Sequence, residues 1–345
     1  MKKLVIIGGG FAGAYCAQQL ESHFNLTLID TKNYYEFTPS VLRTLVEPNH
    51  ISKIQVNHTQ YLHHTTIIQA EVQDISSTEV IVKKEKYSYD YLIIATGSRY
   101  NSPFKEKNMI EASRAAELQQ YAQALKKAQK ILIVGGGIVG TELAAKIITT
   151  YPSKKLTIVH SQTELMERMP SKAQQYARRF LEKRRVTLLL PERMIKTQQG
   201  HYITNTRKRI TADLVFLCTG IIPNCDSFKK FLTKQLDEKK FLRVNSSLQV
   251  QEHPNIFAAG DITSIAEEKL AQNAEKQAKI VVHNLLHLER KEPLEEYHSK
   301  PRAIVISLGT WKGIFSYKQF VLTSFIPAII KQLIEWKTIR RYRQN

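Results

Sequence analysis
The chain has 345 residues, 43% of them hydrophobic, enough for two domains of ordinary size with cores of their own and no disordered or low-complexity stretch. Its formal net charge of +19 implies an anionic partner, but does not choose among nucleic acid, an anionic cofactor and a membrane surface. The cysteines are three, Cys16, Cys218 and Cys225, with no C-x-x-C, so neither a disulfide framework nor a zinc site is indicated and a reducing compartment is expected.

The apolar run Leu4 to Ile7 predicts a buried parallel strand, and Gly8, Gly10 and Gly13 follow it as G-x-G-x-x-G. A helix is expected from Ala14 to Ser22, and a second apolar strand ends at Asp30, about 20 residues beyond the glycines. In such a unit the first glycine permits a tight turn, the second lets backbone approach a pyrophosphate and the third lets helix and strand pack closely. The helix N-terminus then faces phosphate, and the acid accepts hydrogen bonds from a ribose diol. Met1-Lys2-Lys3 before the apolar run does not make a signal peptide, because that run stops at Gly8. No apolar stretch reaches the roughly 18 residues of a membrane span, so the chain is expected to be soluble or bound to a membrane from one side.

A turn is predicted at Asn33 to Tyr35 and a short helix from Phe37-Thr38-Pro39 through Val41, Leu42 and Leu45. A small β-rich section then takes in Thr65 to Val72, Glu79 to Val82 and a hairpin at Lys83 to Tyr87. Tyr91 to Ala95 reads as another buried strand, ending in Ala95-Thr96-Gly97, and Glu111 to Lys130 as a helix. The opening pattern is then repeated: strand Ile131 to Val134, glycines Gly135, Gly137 and Gly140, a helix, and strand Leu156 to Val159. Two such units in one chain mean two dinucleotides held close together. The second unit ends in His160-Ser161-Gln162 where the first has Asp30, so a 2′-phosphate meets less repulsion and NADH versus NADPH stays open.

Further on, Ala212 to Asn224 carries a strand ending in Cys218-Thr219-Gly220, and a short strand runs into Gly260-Asp261. A helix is expected from Leu270 to Leu288, then strands Arg302 to Leu308 and Phe315 to Leu322, and a closing helix near Pro327. In that helix Ile326, Ile329, Ile330, Leu333 and Trp336 recur at helical spacing, while Lys331, Lys337, Arg340, Arg341 and Arg343 are basic. An apolar face with Trp beside a basic cluster suits a helix lying in the headgroup plane of an anionic membrane; packing on the protein's own core, or on a homodimer partner, is the alternative.

The order of these motifs resembles the flavoproteins with two dinucleotide-binding domains, and within them type II NAD(P)H:quinone oxidoreductases and the ferroptosis-suppressor, apoptosis-inducing-factor-like proteins. The resemblance implies an α/β fold in which one Rossmann-like domain is inserted in another. An FAD domain would comprise 1–105 and 248–300, an NAD(P)H domain 106–247, and strands with the amphipathic helix 301–345. It implies FAD bound by Gly8, Gly10, Gly13, Asp30, Ala95, Thr96, Gly97, Gly260 and Asp261, and NAD(P)H by Gly135, Gly137 and Gly140. Glu142 matches a glutamate facing nicotinamide and flavin, and Gln272, in Ala271-Gln272-Asn273-Ala274, a glutamine beside the quinone. Tyr34 to Val46 holds no cysteine, which excludes the dithiol branch.

The expected activity is therefore hydride transfer from NAD(P)H to FAD and on to a membrane quinone, at the inner, cytoplasmic face of a membrane. Two other readings are a soluble reductase of an acidic iron–sulfur carrier and a nucleic-acid-binding flavoprotein. The basic residues are scattered without interleaved aromatics, which ranks nucleic acid last.

Overall fold
The computed structural model describes residues 1–100, 109–111, 119–198 and 201–343. The chain opens with β1 (Lys3–Ile7), α1 (Phe11–Leu20) and β2 (Asn25–Asp30), followed by β3 (Thr65–Gln69) and β4 (Tyr91–Ile94). After β5 (Met109–Glu111) and α2 (Ala122–Lys127), the second unit runs β6 (Lys130–Val134), α3 (Ile138–Thr150) and β7 (Lys155–Val159). It continues through α4 (Ser171–Glu182), β8 (Thr187–Leu189) and β9 (Leu214–Leu217). Then come β10 (Gln249–Val250), β11 (His253–Ala258) and α5 (Ala271–Arg290), and last β12 (Ile304–Leu308), β13 (Lys312–Tyr317), β14 (Phe320–Ser324) and α6 (Ile326–Arg343).

Two sheets carry the architecture. One has the order β10-β11-β4-β1-β2-β3, so strands from both ends of the chain share it; the other, β5-β9-β6-β7-β8, is parallel throughout. In each the glycine-loop strand is central, with Leu4 opposite Leu26 and Tyr91, and Ile131 opposite Leu156 and Leu214. Both central strands are buried on both faces, which is why their sequences are continuous apolar runs rather than alternating ones. Each such side chain taken from water contributes about 1.5–3 kcal/mol. The two ends of the chain meet where α1 lies along α5, with the Cys16 thiol donating to the Ala278 carbonyl at 3.7 Å. The antiparallel sheet β12-β13-β14 carries α6 on one face.

Several expected elements are placed differently. Thr65–Gln69 is not part of a separate β section but pairs in parallel with β2 at the sheet edge, while the hairpin Glu79–Val82 with Glu85–Ser88 does stand apart. Tyr34–Glu36 is a short strand paired with Gln55–Asn57, not a turn. Glu111 ends β5 beside β9 instead of opening a helix; of that expected helix 112–118 lie outside the described residues, and α2 is its described part. The expected strand Phe315 to Leu322 is split by a turn at Lys318, whose φ is 52°. For Thr65–Gln69, Tyr34–Glu36 and Met109–Glu111, pairing with strands distant in sequence decided the use of the local pattern.

Within each unit the glycines do unequal work. A Cβ on Gly13 would overlap the Gly8 carbonyl oxygen, and one on Gly140 the Gly135 carbonyl oxygen, so helix and strand could not close. A Cβ on Gly10 or Gly137 would meet nothing within 4 Å, and both have negative φ. We expect Gly13→Ala to lower the thermal midpoint by several degrees or to prevent folding, and Gly10→Ala to leave it nearly unchanged, by calorimetry. Equal effects would show that the open space at Gly10 is not real.

Candidate active site
The first glycine loop turns at Gly8, with φ 98° and its N–H donating to the Ile29 carbonyl at 2.8 Å. It delivers the chain to α1, whose N-terminus has no side-chain cap. A Cβ on Gly10 would meet nothing within 4 Å among the described residues, so there is open space beside this uncapped N-terminus, the kind of site that receives a phosphate. Asp30, at the end of β2, accepts from the Gly9 N–H at 2.8 Å and from the Lys32 N–H at 3.1 Å. His58 Nε2 lies 3.5 Å from its carboxylate, an ion-pair distance, and His58 Nδ1 is 2.6 Å from the Tyr61 hydroxyl. Burial alone would raise the Asp30 carboxyl, but the His58 contact and Lys32 outweigh it and hold the group below the ordinary carboxylate value.

The second loop repeats this. Gly135 has φ 107° and donates to the Val159 carbonyl at 2.8 Å, and α3 likewise starts uncapped at Gly137. His160 occupies the place of Asp30 and packs against Gly136.

Between the loops the chain crosses twice, and the crossings are stitched together. Ser98–Tyr100 pairs with Ile221–Pro223, the Thr96 hydroxyl donates to the Asn224 carbonyl at 2.8 Å, and the Asn224 amide donates back to the Thr96 carbonyl at 2.9 Å. Gly97 and Gly220 sit here with φ 65° and 97°, and a Cβ on either would meet nothing within 4 Å. Ala95 is buried against Gly8. Asp261 accepts from the Ser98 hydroxyl at 2.8 Å; burial pushes its carboxyl up from the ordinary value, offset in part by Ser98 and Lys269. The Gly260 N–H donates to Gln277 at 2.7 Å, so Gln277 is a buried support of the Gly260-Asp261 turn and not a ligand-facing group. The open glycine edges and two uncapped helix N-termini leave room and donors for two dinucleotides, and the residues present fit FAD at the first loop.

Glu142, one turn into α3, lies almost fully buried. Its Oε1 accepts from the Ser307 N–H at 2.6 Å, from the Ser307 hydroxyl at 2.8 Å, and from the Lys331 ammonium of α6. The three groups line a cleft of about 40 Å³ with Pro39, Arg43 and Lys146. Burial, and then the Arg43 charge, press the Lys146 ammonium below its ordinary value. Gln272 is elsewhere, exposed at the N-terminus of α5 and donating to the Ala303 carbonyl at 3.1 Å, so the structure does not bring it into the Glu142 cleft. Lys331 and Ser307 were missed from sequence as partners of Glu142. Their only signal was an inward lysine in an otherwise apolar stretch of helix.

The model of the pyridine nucleotide-disulphide oxidoreductases matches residues 2–278. The chain belongs to this family. Membership makes it an oxidoreductase of the kind that uses FAD and NAD(P)H. Among curated relatives it is 32% identical to apoptosis-inducing factor homolog B of Dictyostelium discoideum, over 96% of this chain and 93% of that protein. It is 30% identical to ferroptosis suppressor protein 1 of Homo sapiens, over 98% and 96%. Among solved structures, the Plasmodium falciparum NDH2 bound to NADH superposes with a TM-score of 0.87 at 15% identity, covering 99% of this chain and 96% of that one. The sulfide:quinone oxidoreductase of Aquifex aeolicus gives 0.86 at 18% identity, covering 100% and 92%. These last two establish the fold. Despite the family's title, Cys16, Cys218 and Cys225 are all buried free thiols.

Among the described residues no helix is long and apolar enough to cross a membrane. The closing helix α6 is held to the body by its polar side. Besides Lys331, Glu335 meets His50 Nε2 at 3.1 Å, Arg341 meets Glu275 at 3.1 Å, and Arg343 donates to the Ser52 carbonyl at 2.6 Å. Tyr342 is buried between Tyr35 and Tyr61, with ring centroids 4.3 and 4.8 Å away. Burial raises the Glu335 carboxyl, but the bonds from His50 and Ser40 overcome this and leave it below its ordinary value. A depressed folded pKa stabilises above the unfolded value, and that contribution is lost as pH falls through the folded one. We therefore expect Glu335→Gln to cost about 1.5–3 kcal/mol at pH 7, the usual worth of a hydrogen bond to a charged group. The difference from the unmodified protein should shrink towards zero as the pH is lowered below about 4. Thermal melts across that range test it, and a pH-independent cost would count against it.

Proposed function
We propose that the chain is an NAD(P)H:quinone oxidoreductase in which FAD passes two electrons from NAD(P)H to a quinone taken from an adjoining membrane. One observation carries the reading: a single helix, α6, has one face in the Glu142 cleft and the opposite face bare and apolar. Ile326, Ile329, Leu333 and Trp336 are all exposed, Trp336 by 57%, on the side away from Lys331. A membrane-dissolved substrate needs an apolar surface beside the reacting site, and here both belong to one element. The family membership and the likeness to ferroptosis suppressor protein 1 support the same conclusion.

In this reading the α1 N-terminus and the loop Gly8, Gly10, Gly13 hold the pyrophosphate of FAD, and Asp30 its adenosine ribose. Ala95, Thr96, Gly97, Gly260 and Asp261 line the riboflavin end. Gly135, Gly137 and Gly140 hold the phosphates of NAD(P)H. Bound FAD supplies the hydride acceptor and electron donor. The protein's part is orientation and proton supply. Quinone reduction takes up two electrons and two protons, of which the hydride brings both electrons and one proton. The Lys331 ammonium, held on Glu142, is placed to hold the other. Gln272, exposed at the start of α5 and outside the Glu142 cleft, has no part in this proton supply.

The membrane face differs from the one the sequence suggested. Lys331 turns inward, and Arg341 and the exposed Arg343 bond to groups of the body, so Lys337 and Arg340, the latter 5.0 Å over the Trp336 ring, are left to meet headgroups. A positively charged chain with such a helix suits the anionic inner, cytoplasmic leaflet.

With purified protein, NADH and a short-chain quinone, we expect Glu142→Gln to lower kcat at least about tenfold with bound FAD intact, one positioned proton-transfer group being worth 10²–10⁴ at most. Gln272→Ala should act more weakly. Rapid reduction of an iron–sulfur protein with no quinone turnover would overturn the reading. Separately, Leu333→Ser with Trp336→Ser should abolish co-sedimentation with anionic vesicles while leaving the thermal midpoint and reduction of a water-soluble quinone unchanged. Unaltered vesicle binding would remove the membrane role of α6.

A further inference from the structure
The second glycine loop carries a histidine where a ribose-reading acid normally ends the strand, and the loop that follows folds back over it. The Met166 N–H donates to the Gly136 carbonyl at 2.8 Å, and Leu165 packs on Gly136. This brings the Glu167 carboxylate to 3.3 Å from His160 Nε2. The two ends of the pair are unequally placed: the His160 side chain is 9% exposed and its Nε2 has no hydrogen-bond partner among the described residues, whereas the Glu167 side chain is 39% exposed. A ligand arriving at the loop meets the carboxylate first, with the imidazole behind it.

The first unit gives the scale for comparison. There the carboxylate of Asp30 comes from the strand end and lies against Gly9; here the strand end lies against Gly136 in the same way, and a carboxylate is supplied from seven residues further on. The positive charge next in sequence points elsewhere, although its side chain is 73% exposed. Arg168 reaches across to Glu268 of the flavin lobe, at 3.2 Å, and is paired there.

We propose that Glu167, seated on His160, is the residue that selects NADH over NADPH. Its carboxylate accepts a hydrogen bond from a free ribose 2′-hydroxyl and repels a 2′-phosphate, and His160 fixes its position. This rests on the reading of the Gly135–Gly140 loop as the NAD(P)H site.

The test is titration of the FAD-loaded protein with ADP-ribose and with 2′-phospho-ADP-ribose by calorimetry, alongside kcat/KM for NADH and NADPH. We expect the unphosphorylated ligand to bind at least about tenfold more tightly, the discrimination a nearby unit charge gives at a partly exposed site. Glu167→Gln should reduce that ratio towards one, and Glu167→Arg should reverse it. A purely structural Glu167 would weaken both ligands equally and leave the ratio where it was. Equal binding of the two by the unmodified protein, or an unchanged ratio in both variants, overturns the proposal. Binding of neither ligand overturns it together with the dinucleotide reading of the loop.

Discussion

A carboxylate buried at Glu142 has to be neutralised where it lies, and the C-terminal part of the molecule is arranged by that requirement. An unpaired charge there would cost several kcal/mol. The sheet β12-β13-β14 brings the Ser307 N–H and hydroxyl to it, and α6 brings the Lys331 ammonium. Once Lys331 faces inward, helical geometry fixes everything else on α6. Pro327, Ala328, Glu335, Ile339 and Tyr342 fall on the same side and pack, while Ile326, Ile329, Leu333, Trp336 and Arg340 fall opposite and are exposed. The exposed apolar stripe is therefore a consequence of the pairing at Glu142.

The two glycine units depend on a different constraint, backbone approach without a Cβ. Gly13 on Gly8 and Gly140 on Gly135 let each helix start directly above its strand, and that brings its first N–H groups to the sheet edge. The units are then joined where Thr96, Gly97 and Asn224 exchange hydrogen bonds, which ties together the segments that leave the carboxyl ends of β4 and β9. The α1–α5 contact brings Gly260 and Asp261 back to the first loop, with Gln277 as the buried strut beneath them. Sequence-distant motifs converge because the helices carrying them have small residues at the crossing, Ala12 and Ala274 being the neighbours a Cβ on Gly260 would meet.

What was legible in the sequence follows from the range of the interactions responsible. The glycine spacings, the apolar central strands and the acid at Asp30 are local, and the strands and helices around them lie where the pattern predicts. Thr65–Gln69 has the composition of any strand, and nothing nearby in sequence says that β2 will take it into the main sheet. The tyrosines of Tyr34–Glu36 and the split at Lys318 are likewise decided by partners. At the candidate site, Glu142 was named only by the family resemblance, and its partner Lys331 is 189 residues away. The five basic residues of the last helix looked like one class in sequence. Three of them satisfy groups of the body, a distinction that only tertiary packing makes. The carboxylate on His160 was invisible for the same reason, because the loop from Ser161 to Glu167 must fold back before Glu167 is near the strand end.

The polarity of α6 is inverted relative to a helix that merely packs on a water-soluble body. Its buried face carries Lys331, Glu335 and Arg341, which cost desolvation, and its outer face leaves large apolar side chains in solvent, including Leu333 and Trp336 at 57% exposure each. A soluble monomer gains nothing from either, and apolar patches of this kind on monomers mark a contact surface. Moving such side chains out of water contributes about 1.5–3 kcal/mol each, so three or four would offset the entropy of holding the protein at a surface. The inward charges have a matching logic: they fix the helix by directional bonds that do not compete with its apolar side for the same interior. A helix attached to its protein through ion pairs and to its surroundings through hydrocarbon keeps its orientation when those surroundings change from water to lipid. In the proposed membrane-bound state the Glu142 cleft would then stay complete.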